Sequence, residues 1–224
     1  MRCLLVMAAL LAVPAASEAA PVFDNGAPSL VGSPAAVASD PEAGQIVADD
    51  FTLAADATLQ SITFFGAYSG VGANAQPDNF GIFFLDDAGG QPGTLILGEA
   101  VTPGRGNTGM LIGTTPVFRW SANFTPTLFT AGTTYWVAVV GLDVDPTNNF
   151  FWATTSVGNG TPGQFSTDGG SSWSQVGNMD ADPDEFVFQL HVTPVPEPGS
   201  LALLALGLCT TVGRRMRARR GTGP

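Results

Sequence analysis

The stretch Thr133-Thr-Tyr-Trp-Val-Ala-Val-Val-Gly-Leu142 decides the fold of this chain. β-Branched and aromatic residues, which favour strands, fill it almost without interruption. Successive side chains of a strand point to opposite faces. Residues such as Val137 and Val139 therefore share one face, and residues such as Trp136 share the other. Because both faces are apolar, the pattern predicts a central strand with one face on a core and the other covered.

Similar short apolar runs, separated by Gly, Pro, Asn and Asp, extend on both sides of this strand. Strands are predicted at 46–53, 58–68, 79–86, 94–101, 116–124, 149–155, 163–166, 172–176 and 185–192. The Gly-rich segment 103–113 is predicted to be an excursion between strands. No helical period persists through these segments. The sequence therefore predicts an all-β fold, an antiparallel β-sandwich of jelly-roll type.

The predicted sandwich domain covers residues 46–193 and follows a loose lead-in, 20–45, rich in Ala, Pro, Ser and Gly. A signal helix is predicted before it, in residues 1–19, and a short hydrophobic helix after it, within 194–224. Cysteine occurs only at Cys3 and Cys209, in these two flanking segments. The exported part is therefore expected to contain no disulfide.

The first residues have the layout of a secretory signal peptide. Arg2 supplies a positive charge, residues 3–13 an apolar core and residues 14–20 small residues. Cleavage after Ala19 is favoured, because cleavage after Ala20 would place Glu18 in a site that takes small residues. The chain is therefore predicted to be exported.

The charge of the exported part excludes one class of function. Residues 21–193 contain seventeen carboxylates and only two basic residues, Arg105 and Arg119, which gives a net charge of −15. Nucleic acids and anionic lipids bind to basic surfaces, so neither is an expected partner. Neutral polysaccharides and divalent cations remain compatible with this charge.

The C-terminal segment combines three kinds of chemistry within residues 195–220. It begins with Val195, Pro196, Glu197 and Pro198, which cannot extend a helix or strand. Apolar residues 201–212 follow. The segment ends in a basic cluster made of Arg214, Arg215, Arg217, Arg219 and Arg220. A helix over residues 198–213 would span about 24 Å. Because a bilayer core is about 30 Å thick, transient membrane residence is expected.

This arrangement resembles the PEP-CTERM sorting signal of Gram-negative bacteria. The resemblance implies processing by exosortase, a membrane enzyme, after transient anchoring in the inner membrane. It also implies delivery to the cell surface, the outer membrane or an exopolysaccharide-rich extracellular matrix. Residues 48–53 and 131–138 are similar to β-sandwich ectodomains found among PEP-CTERM proteins, a likeness that implies no activity.

The segment Ser166-Thr-Asp-Gly-Gly-Ser-Ser-Trp173 resembles the Asp-box of sialidases and other β proteins. In such a hairpin tip Asp168 accepts hydrogen bonds from the turn, Gly170 takes a positive φ and Trp173 packs beneath. The Asp-box is structural in the families that carry it. We therefore expect a structural turn here.

Two acidic runs have the alternating oxygens that Ca²⁺ prefers. They contain Asp143 and Asp145 in the first run, and Asp180, Asp182 and Asp184 in the second. Neither run has the Gly and Glu positions of an EF-hand. Solvated acidic turns are the favoured interpretation, Ca²⁺ is the alternative, and no other cofactor is predicted.

No catalytic residues are predicted. His191 is the only histidine, and no Gly-x-Ser-x-Gly motif accompanies it. The four tryptophans are expected mainly in the core, and an exposed pair would favour sugar binding. The leading hypothesis is a secreted, non-enzymatic surface or matrix protein. A lectin-like carbohydrate-binding module, with or without Ca²⁺, is the alternative, and a glycan hydrolase is third.

Overall fold

The computed structural model describes residues 20–30, 35–69, 78–142, 148–176 and 185–192. Strands form almost all the regular structure of these residues, which include no α-helix and one short 3₁₀ turn, Pro41–Ala43. None of the described residues forms a helix long and apolar enough to cross a membrane. The strands, in chain order, are β1 (Phe23–Asp24), β2 (Ala36–Ala38), β3 (Ile46–Thr52), β4 (Ala57–Tyr68), β5 (Phe80–Asp87), β6 (Pro92–Val101), β7 (Gly104–Ile112), β8 (Thr115–Phe129), β9 (Thr134–Gly141), β10 (Phe150–Thr155), β11 (Gln164–Ser166), β12 (Ser174–Gln175), β13 (Glu185–Phe186) and β14 (Phe188–Val192).

Strand β9, predicted to be central, lies inside a six-stranded sheet, here called sheet II. Its strand order is β12-β11-β3-β9-β5-β6. All its pairs are antiparallel, with Ala138 of β9 opposite Ala48 of β3 and Phe83 of β5. The prediction of a central strand is confirmed.

The other sheet, sheet I, has eight strands arranged around β4. Strand β8 pairs along one side of β4, while β14 and β10 follow one another along the opposite side. Strand β7 pairs with β8, β1 with β14, and both β2 and β13 with β10. All these pairs are antiparallel.

The two sheets enclose an aromatic core. Fully buried side chains such as Phe64, Trp120 and Trp152 come from sheet I, and Phe51 and Phe84 come from sheet II. The ring centroids of Phe64 and Trp120 lie 5.5 Å apart in a stacked arrangement. Burial of large aromatic side chains is the main source of stability in such a core. The predicted antiparallel β-sandwich is confirmed.

A second apolar cluster covers the outer face of sheet II. It contains Ala48, Leu85, Trp136, Ala138 and Val140, with Ile46, Phe83, Leu142 and Trp173 packed against it. The opposite face of β9, with Val137 and Val139, belongs to the central core. Both faces of β9 are therefore buried, which explains why its sequence is apolar throughout.

Two segments contain more strand than their composition indicates. Residues 103–113 were expected to form an excursion, but they contain β7, which forms a hairpin with β8. The lead-in 20–45 contributes β1 and β2 to sheet I. The predicted signal helix, residues 1–19, and the C-terminal helix lie outside the described residues.

Candidate functional site

The Asp-box hairpin joins β11 to β12 at the outer face of sheet II. The Asp168 carboxylate accepts bonds from the Ser172 N–H at 2.9 Å, the Ser172 hydroxyl at 2.6 Å and the Ser166 hydroxyl at 2.7 Å. These bonds lower the pKa of Asp168 to about 2, the Ser172 hydroxyl contributing most, followed by the Ser166 hydroxyl and then the Ser172 N–H. Gly170 has φ +92°, a left-handed conformation that favours glycine. The turn thus holds Trp173 against the outer apolar cluster.

A groove of about 320 Å³ lies beside this hairpin and is here called the outer-face groove. Its lining comes from β3, β5, β6, β9 and the Asp-box turn. The lining residues are Ile46, Phe83, Leu85, Gly93, Leu95, Ala138, Gly169, Gly170 and Trp173. Leu95, one of these lining residues, is 55% exposed. The groove is therefore an accessible apolar depression on the sheet.

Polar groups border the outer-face groove. The Gln91 amide donates to the carbonyl oxygen of Trp173 at 3.4 Å. The Asp86 carboxylate lies against Gly93 and accepts the N–H of Thr94. No arginine is among the residues that line the groove. The groove therefore combines an apolar floor with a neutral and acidic border.

The four tryptophans do not form an exposed pair. Trp120, Trp136 and Trp152 are 0% exposed. Trp173 is half-buried and lines the outer-face groove. The expectation that the tryptophans serve mainly as core residues is thus met by three of them. Any sugar stacking on tryptophan would have to use Trp173.

Three acids from distant parts of the sequence form a carboxylate cluster: Asp49, Asp50 and Glu185. Asp49 is fully buried and accepts bonds from the Asn25 amide at 3.0 Å and the Phe186 N–H at 2.6 Å. Burial is the largest cause of its raised pKa, and the negative charges of Glu185 and Asp50 raise it further. Burial and mutual repulsion of these carboxylates therefore destabilise the folded state at neutral pH.

The other two members of the carboxylate cluster are also shifted. Burial raises the pKa of Asp50 to about 6 against a hydrogen bond from Asn159, and the charge of Glu185 raises it too. Asp50 Oδ1 is buried and has no hydrogen-bond partner. Burial likewise raises the pKa of Glu185, although the N–H groups of Asn159 and Gly160 donate to it. No set of three or more His, Cys, Asp or Glu side chains in the described ranges is arranged to hold a metal ion.

The basic residues of the described ranges and the histidine lie on strands of sheet I. Arg105 makes an ion pair with Asp78 at 3.3 Å, and its guanidinium lies 4.9 Å from the centre of the Phe118 ring. The Tyr68 hydroxyl also donates to Asp78, at 3.1 Å. His191 is a buried residue of β14 and pairs opposite Ser61 of β4. These arrangements connect β4, β7 and β8 and are structural.

Several predicted site residues lie outside the described residues. They are the sorting motif Val195, Pro196, Glu197 and Pro198, the basic cluster Arg214, Arg215, Arg217, Arg219 and Arg220, the signal-cleavage residue Ala19, and the acidic runs with Asp143, Asp145, Asp180, Asp182 and Asp184. Ala20, the other cleavage candidate, is exposed. The Ca²⁺ interpretation of the two runs stays a prediction.

Sequence reasoning missed the carboxylate cluster and the outer-face groove. Adjacent acids inside the apolar strand β3 were a signal that Asp49 or Asp50 would be buried. No local pattern connects them to Glu185. The groove had only one sequence signal, the Trp173 that closes the Asp-box.

The fold and these sites define an acidic, antiparallel β-sandwich protein with an aromatic core. Residues 194–220 match the family model of the PEP-CTERM protein-sorting motif. The chain therefore carries a sorting signal that makes it a secreted substrate of exosortase, exported through that membrane-associated pathway. No curated protein and no solved structure matches the chain.

Proposed function

We propose that this protein is a non-enzymatic component of the cell surface or of an exopolysaccharide-rich extracellular matrix. The observation that carries the proposal is the match of residues 194–220 to the sorting motif, directly after the last strand of the sandwich. In this proposal, the C-terminal segment holds the precursor in the inner membrane until exosortase cuts near Pro196–Pro198. The sandwich is then delivered without the C-terminal basic cluster.

The use of the acidic side chains supports a non-enzymatic role. Many of the described carboxylates accept hydrogen bonds from backbone N–H groups, which is a structural use of an acid. Asp87 accepts from Gly89 and Gly90, Asp56 from Ala131, and Glu99 from Thr125. Asp49, Asp168 and Glu185 do the same. These acids hold turns and strand ends in place.

Mass spectrometry of the protein extracted from producing cells tests the proposal. We expect surface and matrix fractions to contain a form that lacks Arg214–Arg220. Replacing Pro196, Glu197 and Pro198 together with alanine should retain the full-length chain in the inner membrane. Thr193→Ala, just before the matched residues 194–220, is the control and should be processed normally. Recovery from the surface of a chain that is intact through Arg220 would overturn the proposal.

A further inference from the structure

One tryptophan, Trp173, contributes an aromatic surface to the lining of the outer-face groove. Trp173 is half-buried there, beside the partly buried ring of Phe83 and the exposed side chain of Leu95. The volume of about 320 Å³ is at the small end of the range for ligand sites. Such a site has room for one ring-sized ligand with an apolar face.

The border of the groove limits the charge of that ligand. Asp86 and Asp168 flank the lining residues Gly93 and Gly169, and the exported part as a whole has a net charge of −15. An anionic ligand would be repelled by this field. A ligand with hydroxyl groups can instead donate hydrogen bonds to carboxylate and carbonyl oxygens at the border. The charge thus excludes an anionic ligand, and the acceptor oxygens at the border suit a ligand that is rich in hydroxyl groups.

A second copy of the chain fits the groove poorly. Two molecules with this net charge repel each other. The neighbouring edge strand β6 is also irregular, because its pairing with β5 shifts register at two places, between Phe84 and Leu85 and between Leu85 and Asp87. Bulges of this kind protect an edge against pairing with another strand.

We propose that the outer-face groove binds one neutral pyranose ring of a polysaccharide. The apolar C–H face of the ring packs on Trp173, and its hydroxyl groups bond at the border formed by the Asp-box turn and Gln91. The inference deepens the proposed function and rests on it, since the matrix is where the protein would meet such a polymer. It also identifies Leu95 as a residue that shapes the site.

Tryptophan fluorescence of the processed, exported protein tests this assignment. Dextran, mannan and laminarin serve as neutral probes and alginate as the anionic probe. Because the other three tryptophans are 0% exposed, the neutral quencher acrylamide should act chiefly on Trp173. At least one neutral probe should protect this fluorescence from quenching, and alginate should not. Trp173→Phe should remove the protected signal, and it sacrifices no hydrogen bond of the indole N–H, which has no partner.

Substitutions at exposed leucines locate the site. Leu95→Gln should weaken binding about tenfold or more, the loss typical of removing apolar contact with a ligand. Leu128→Gln is the matched control, since Leu128 is 67% exposed on β8 in the other sheet, and its affinity should equal that of the parent. Because both leucines are exposed, both variants should fold.

Three results would overturn the inference: no neutral probe binds, alginate binds as tightly as a neutral probe, or Leu95→Gln binds like Leu128→Gln. Cell fractionation separates this failure from failure of the proposed function. A protein that reaches the matrix but binds no probe refutes the groove alone. A protein that binds but never leaves the inner membrane refutes the location alone.

Discussion

At the scale of single residues, the carboxylate cluster makes stability depend on pH. Asp50 has a pKa raised to about 6, first because burial removes the carboxylate from water and then because Glu185 is negatively charged nearby. An acid whose pKa is higher in the folded state binds protons more tightly when folded, so protonation stabilises the fold. The resulting destabilisation is full above the folded pKa and disappears as the pH falls towards the ordinary value of 3.8.

We therefore expect the thermal midpoint to rise when the pH is lowered from 7 to 5. Asp49 and Glu185 act in the same direction, because their pKa values are also raised. Asp168 acts oppositely, but only below its ordinary pKa, as the pH falls towards about 2. Asp50→Asn should raise the midpoint at pH 7 and reduce its pH dependence, as measured by circular dichroism.

Glu42→Gln is the control for this experiment, since it removes one negative charge from an exposed position. It should leave the pH dependence almost unchanged, because an exposed carboxyl is hydrated in both states. A midpoint that falls between pH 7 and pH 5 would contradict the destabilisation attributed to the cluster.

Asp87 shows how one acid can serve both a turn and the apolar cluster beside it. Its carboxylate accepts the N–H groups of Gly89 and Gly90 and also the indole N–H of buried Trp136, at 2.9 Å. Asp87→Ala leaves that donor without a partner, which should lower the free energy of unfolding by about 1–3 kcal/mol. Urea denaturation measures the change. Asp87→Asn keeps an acceptor oxygen and should cost less; equal midpoints for Asp87→Ala and the parent would contradict this role.

At the scale of elements, β9 provides the most direct test of the fold. Val137 is fully buried in the core between the two sheets. Val137→Asp would bury a charge without a counter-ion, at a cost of about 3 kcal/mol or more. Net stabilities are only about 5–15 kcal/mol, so we expect loss of soluble protein or a much lower thermal midpoint.

Ile96→Asp is the matched control, because Ile96 lies on the edge strand β6 and is 42% exposed. It introduces the same charge where water can solvate it, so its yield and melting curve should resemble those of the parent. If Val137→Asp behaved like this control, β9 would not be a core strand.

The elements also show how far the sequence predicts the structure. The strand β9 was predictable because it is a continuous run of β-branched, aromatic and other apolar residues, so both of its faces are apolar. The strand β7 was not predictable, because its glycines weaken strand propensity. Its extended conformation is stabilised by pairing with β8, including a 2.5 Å hydrogen bond from the Thr108 hydroxyl to the Val117 carbonyl oxygen.

The carboxylate cluster and the outer-face groove were unpredictable for a related reason. Each joins residues that are far apart in the sequence, such as Asp50 with Glu185 and Phe83 with Trp173. Their proximity follows from the strand order of sheet II and from the pairing of β13 with β10 in sheet I. Neither is encoded in a local pattern of residues.

At the scale of the whole molecule, the sandwich contains many acidic and few basic residues, so most carboxylates need partners other than arginine. With seventeen carboxylates and two arginines in residues 21–193, ion pairs cannot balance the charge. Among the described residues, Arg105 and Asp78 form an ion pair. Backbone N–H groups at turns and strand ends bind many of the remaining carboxylates instead, and these bonds are strong because the acceptor is charged.

This charge balance predicts that salt stabilises the protein. Repulsion among carboxylates destabilises the compact state, and salt screens it over a distance of about 10 Å at 0.1 M ionic strength. Because residues 21–193 contain seventeen carboxylates and only two arginines, screening should relieve more repulsion than attraction. We expect the thermal midpoint to rise steadily from 10 mM to 500 mM NaCl, concentrations that span screening lengths from roughly 30 Å to below 10 Å.

CaCl₂ at equal ionic strength is the comparison. A larger rise than NaCl gives would mean that the acidic runs at Asp143–Asp145 and Asp180–Asp184 bind the ion, whereas an equal rise would assign them to solvated turns. A midpoint that falls as NaCl is added would show that attractive pairs dominate, and the account of the acids as backbone-bound and mutually repelling would then be wrong.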